Sequence, residues 1–168
     1  YQRINASTHQ RINQHITSTM TPTSITHEQH LIIDWKCAFD ERSVREHIDA
    51  VPELCCKHVE LVPSLGSDRV RTLSAFYNVH VNDHRGSVPF RLFIVHDIAP
   101  TYARRHTTKG YRRVNTHLFD LKKVLRHKCR HVKNAQIHAT DNIQETKANL
   151  RALGLYSTHY QPYTQFQS

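Results

Sequence analysis

The tightest constraint on the fold is a pair of strand-like runs in the middle of the chain. Leu73, Ala75, Tyr77, Val79 and Val81 alternate with other residues and share one face of an extended segment. Asn82-Asp83-His84-Arg85-Gly86 follows as a turn, then Phe90-Arg91-Leu92-Phe93-Ile94-Val95. Together they predict an antiparallel hairpin. Pro89 puts the start of the second run at a strand end or a sheet edge.

Other elements gather around that hairpin. Leu31-Ile32-Ile33-Asp34-Trp35 reads as a short buried strand. Asp40 or Ser43 can cap the next helix, and Ser43-x-x-Glu46 matches a capping box. Val44, Ile48 and Val51 share one helical face, and Pro52 ends it. Residues 57–62 predict a second strand. Residues 101–114 read as an exposed loop after Pro100. A helix is expected from Thr116 to about His127, with Leu118, Leu121 and Leu125 inward and Lys122 and Arg126 on its outer side. Gln136-Ile137-His138 is a short strand. Asp141 can cap a last helix that stops at Gly154.

Helices mixed with a hairpin predict an α/β domain of α+β type. The expected sheet is mixed, with about five strands and a central antiparallel hairpin. About three helices cover it, in an open two-layer sandwich. The expected domain covers residues 30–155. Residues 1–29 read as a polar extension, disordered or ordered by a partner, and residues 156–168 as a polar aromatic tail. Residues 1–27 contain Arg3 and Arg11 and no acid. That bias resembles organelle transit sequence, but a polar arm is preferred.

With 168 residues the chain is long enough to bury a core without disulfides or metals. Its four glycines argue against a glycine-rich phosphate loop. Cys37, Cys55, Cys56 and Cys129 make no disulfide framework, so a reducing intracellular compartment is expected, with an organelle or a virion left open. No apolar run approaches the ~20 residues that span a bilayer, so no membrane insertion is expected.

Charge carries the functional signal. The net charge is +9, yet residues 103–133 hold eleven Lys or Arg and one acid, Asp120. The remainder of the chain is close to neutral. Such a cluster points to nucleic acid or another polyanion, such as an acidic protein surface or anionic lipid. The plain alternative is a solvated basic face. Within the cluster, Arg104, Arg105, Thr107, Thr108, Lys109, Arg112 and Arg113 suit phosphate oxygens, and Gly110 allows close approach. Tyr102 and Tyr111 can stack on bases. Lys122, Lys123 and Arg126 extend the track along the helix. RNA is favoured over duplex DNA because no recognition-helix or zinc-finger pattern is present.

Acids and histidines at strand ends form a second set: Asp34, Asp97, His138 and Asp141. Ligands of open α/β sheets gather at strand ends, where such groups can hold a metal or move a proton. The alternative is that they cap helices and end strands. Locally, His138-Ala139-Thr140-Asp141 is similar to the His-Gly-Ser-Asp element of nucleoside diphosphate kinases, where the His carries the phosphoryl group. Two of the four residues match. Asp34-Trp35-Lys36 stands in place of that family's Lys-Pro-Asp element, and its glycines are missing, so no family is recognised. His127-x-Cys129-x-His131, with Cys55, Cys56 and His58 elsewhere, offers zinc donors at poor spacing. No cofactor is expected.

Three functions follow as expectations. The leading one is a non-catalytic basic subunit that contacts nucleic-acid phosphates, RNA favoured, with its extensions threading over other protein subunits of a larger assembly. The second is an enzyme acting on a phosphate-containing substrate, which requires the strand-end residues to converge. The third is a structural subunit that binds other proteins.

Overall fold

The structure, a computed structural model, describes residues 27–35, 37–66, 68, 72, 89–107, 110–128 and 136–160. Along the chain run β1 (Glu28–Trp35), α1 (Glu41–Asp49), β2 (Leu54–Val62), β3 (Phe90–Asp97), β4 (Tyr102–Thr107), β5 (Gly110–Asn115), α2 (Thr116–Lys128), β6 (Gln136–Ala139), α3 (Ile143–Leu153) and α4 (Tyr156–His159). The fold is α+β. Four strands form a sheet in the order β2-β3-β1-β6, and β4 and β5 form a separate two-stranded ribbon.

The central strands β1 and β3 decide the layering. Leu31, Ile33 and Trp35 face one side of β1, and Ile32 faces the other; all are buried. Phe90, Leu92 and Ile94 oppose Phe93 and Val95 in the same way. A strand that is apolar on both faces needs cover on both. Val44 and Ile48 of α1, with Leu118, Leu121 and Leu125 of α2, pack on the Ile32–Phe93 side. Leu150 and Leu153 of α3 pack on the Leu31–Leu92 side, where Tyr156 and Tyr160 add partial cover. The expected two-layer arrangement is therefore corrected to helices on both faces. The expected mixed sheet is also corrected, because every described ladder is antiparallel. The partner strand expected over residues 73–81 lies outside the described residues.

Helix ends follow local chemistry. Asp40, and not Ser43, caps α1: its carboxylate accepts from Ser43 N at 2.9 Å. Asn142 caps α3, one residue beyond the expected Asp141. Its side chain accepts from Glu145 N at 2.9 Å, and the Glu145 carboxylate accepts from Asp141 N at 2.6 Å. Gly154 ends α3 at φ 73°, a left-handed cap that glycine adopts without strain.

Residues 102–107 and 110–114, expected as loop, are strand. Eleven of the expected loop residues are paired as β4 and β5, with Tyr102 opposite Asn115 and Thr107 opposite Gly110. Backbone pairing at the base supports the ribbon: Thr116 N donates to Thr101 O at 2.9 Å, and Asn115 N to Asp141 O at 2.7 Å.

Ile32 sits in the middle of the twice-covered strand, fully buried. Ile32→Ala is expected to lower unfolding free energy by about 3 kcal/mol in urea titrations. Leu61→Ala, at a residue 63% exposed, is expected to stay within about 0.5 kcal/mol.

Candidate nucleic-acid interface

The β4–β5 register sets arginines against arginines. Arg104 lies opposite Arg113, and Arg105 opposite Arg112. Strand alternation puts the first pair on one face, with His106 and Tyr111, and the second on the other. All four are exposed. Directly opposed like charges are destabilising in a ladder, and an anion bridging a pair would relieve them. Among the described residues, no carboxylate is paired with Arg104, Arg105 or Arg112. Arg113 lies over the Tyr102 ring, 5.2 Å from its centroid. Tyr111 is 71% exposed and meets His106 edge-on. The Thr107 hydroxyl donates to Gly110 O at 2.8 Å and closes the ribbon's far end. Thr108 and Lys109 lie outside the described residues.

The helix contributes less than the sequence implies. Lys122 is only 8% exposed. Its Nζ lies 3.1 Å from an Asp141 oxygen and 3.5 Å from Ala139 O. It neutralises Asp141 and is not on the outer side. Arg126 donates from Nε and Nη2 to Ile137 O, at 2.9 and 2.8 Å. Lys123 is exposed, over the Phe119 ring at 4.3 Å and 3.8 Å from Asp120. Within the charge cluster, the exposed basic residues described are thus the four ribbon arginines, with Lys123, Arg126 and Lys128 on the helix that follows.

A buried polar cluster anchors the ribbon's root. Asp97, fully buried, accepts from Asn115 Nδ2 at 2.7 Å, from His117 Nδ1 at 2.8 Å and from Ala99 N at 3.1 Å. Asn115 Oδ1 accepts from Leu118 N at 3.1 Å, so one side chain joins β5, α2 and β3. On the other nitrogen of His117, Nε2 lies 3.4 Å from the Thr101 hydroxyl. Tyr102 OH donates to Glu28, which also meets His30 Nε2 at 3.2 Å. Burial raises the Glu28 carboxyl, but bonds from His30 and Tyr102 and the charge of Arg113 outweigh it, so the net shift is downward. Burial and the neighbouring Glu28 push the Tyr102 phenol well above its ordinary range. Sequence reasoning missed Thr101, Asn115 and His117, because no spacing marks groups that meet across three elements.

The four strand-end candidates do not form one pocket. β1 and β3 are antiparallel, so Asp34 pairs with Arg91 while Asp97 pairs with Glu28, at opposite ends of the ladder. His138 pairs with Ile33 and faces α3, where its Nε2 lies 3.9 Å from Glu145. Burial lowers its pKa, against the raising effect of Glu145. Only Asp97 and Asp141 adjoin the ribbon root, through Asn115. Asp34 binds its own loop, accepting from Ala38 N at 3.0 Å and Phe39 N at 3.3 Å, with Arg91 at 3.5 Å. Of the proposed zinc donors, His127 is exposed in the last turn of α2, and Cys129 and His131 lie outside the described residues.

Burial raises Asp34 to about 6, despite those donors. A carboxyl whose folded pKa exceeds its unfolded value holds its proton longer when folded. Its contribution to stability therefore falls as pH rises from about 4 to about 6. Carboxyl-detected NMR is expected to place its midpoint near 6. A midpoint near 4 would show that water reaches the site.

No protein-family model matches the chain, and no curated protein sequence matches it. Among solved structures, the chain is similar to the Aquifex aeolicus nucleoside diphosphate kinase in an orthorhombic crystal form. Identity is 13%, the match covers 76% of this chain and 95% of that one, and the TM-score is 0.45. Among the described residues, no helix is long and apolar enough to cross a membrane. A structural likeness at that level bears on neither family nor function.

Proposed function

We propose that the β4–β5 ribbon binds nucleic-acid phosphates, with RNA favoured, and that the chain is a binding subunit of a larger intracellular assembly. One observation carries the reading: two directly opposed arginine pairs, exposed on both faces of a two-stranded ribbon, three of whose arginines lack carboxylate partners among the described residues. Guanidinium forks match phosphate oxygens in geometry and charge. Tyr111, exposed beside them, offers a stacking face for an unpaired base, which favours single-stranded RNA. A two-stranded ribbon also fits the duplex major groove, so DNA belongs in the same assay. The terminal extensions are the segments proposed to contact neighbouring subunits.

Binding of short single-stranded RNA and duplex DNA across a salt series tests this. Affinity is expected to fall steeply with salt. Arg112→Glu with Arg113→Glu is expected to weaken binding by at least about ten-fold and to reduce the logarithmic salt slope by about 2. Circular dichroism should stay unchanged, because both side chains are exposed. Equal affinity of variant and wild type would refute the reading.

The Asp97–His117–Thr101 line supports a second reading, an enzyme acting on a phosphate-containing substrate. Asp97 fixes Nδ1–H of His117, which leaves Nε2 to take a proton from a hydroxyl such as that of Thr101. Under this reading, His117→Gln lowers turnover of RNA or phosphomonoesters by about 100-fold or more while binding persists. Absence of turnover by the wild-type chain would remove it.

A further inference from the structure

We infer that His58, Glu60 and His159 form a zinc site, separate from the arginine ribbon. One ligand atom from each of the three lies within 4.8 Å of the others. Donors on a single tetrahedral zinc are about 3.3 Å apart. Small side-chain rotations, easiest at exposed His58, close that gap.

The backbone is arranged to make the cluster. The β2–β3 register slips between Cys56 and His58, a bulge at Lys57. Before it, Leu54 and Cys56 pair with Asp97 and Val95, on the face that α1 and α2 cover. After it, His58 and Glu60 pair with Ile94 and Leu92, on the face that α3 covers. Bulges re-aim side chains in this way. Were Lys57 instead paired in regular register, His58 would lie opposite Phe93 and face the apolar core below α1. From the other side, His159 ends α4. Its carbonyl accepts from the buried Gln29 side chain at 2.6 Å, which ties the end of the helix to β1. The His58 and His159 rings stack with centroids 5.2 Å apart, and His159 Nε2 meets the Glu60 carboxylate.

Two imidazoles and one carboxylate select borderline metals. Magnesium and calcium prefer oxygen alone, whereas zinc takes this donor set with one position open. Glu60 also lines an open groove of about 500 Å³, together with Ser64, Gly66, Asp68 and Leu155. An ion held by Glu60 therefore borders a space that a small ligand can enter.

The test uses the full chain, stripped with chelator and titrated with zinc alone by calorimetry and with cobalt by visible absorption. One equivalent is expected to bind, with the intense visible bands of a tetrahedral cobalt centre. Outer partners of metal ligands are worth about 10–100-fold in affinity. Loss of a direct ligand in His58→Ala, Glu60→Gln or His159→Ala is expected to cost at least as much. A variant with His127, Cys129 and His131 all changed to Ala serves as the control and should bind as the wild type does. In the wild-type chain, the His58 and His159 imidazole resonances should move together during the titration, which gives a readout independent of whether the variants fold. Absence of stoichiometric binding, unchanged affinity in the three ligand variants, or loss of binding in the control overturns the site.

Discussion

Leu31, Ile32 and Ile33 are fully buried on alternating sides of β1, and water must be kept from both sides at once. Everything around the sheet answers that requirement. One side is closed by α1 and α2, the other by α3 with help from α4. β1 also pairs along both edges, with β3 and β6. Its middle residues, Ile32 to Asp34, are paired on both edges and leave little backbone for a ligand. Function is pushed outward, to the ends of the ladder and to structures attached there.

The ribbon is one such attachment, and it depends on a polar interior. A two-stranded ribbon alone is marginal in water, more so when arginines oppose arginines. Its root compensates through Asn115, which binds Asp97, caps α2 and passes its amide hydrogen to Asp141. Buried polar groups of this kind are favourable only when nearly all their bonds are made. The charged strands are thereby fixed to the sheet through a hydrogen-bonded base. That is a suitable arrangement for reaching into a polyanion.

Strands and helices with apolar periodicity were legible in the sequence. The runs at 31–35 and 90–95 lie within β1 and β3, and Leu118, Leu121 and Leu125 face inward. The ribbon was not legible, since Arg104-Arg105-His106 and Tyr111-Arg112-Arg113 have no apolar alternation. Their pairing is supported from the root. Lys122 is a different case. It follows Leu118 by four residues and so lies on the inward stripe, a position that the leucines already marked; the missing information was its partner, Asp141, from a distant strand end. Asp141 and Asn142 are equally able to cap, and only the path of the chain chooses between them. The charge cluster identified the arginines but could not show that they oppose one another. The bulge that turns His58 and Glu60 has no sequence signature either, because Lys57 is an ordinary surface residue.

The two outward features share an anchor in β1. Glu28 accepts from Tyr102 at the ribbon root, on one face. The adjacent Gln29 points to the opposite face and donates to His159 O at 2.6 Å. Consecutive side chains of one strand thus hold the arginine ribbon and the end of α4. Fraying of β1 at Glu28 would release both together, while a change confined to either partner would leave the other in place. The start of β1, at Glu28 and Gln29, is therefore the point where positioning of the two surfaces is coupled. Its side chains do this through hydrogen bonds and not through apolar packing, which explains why buried Gln29 and His30 precede the apolar run instead of more leucine or isoleucine.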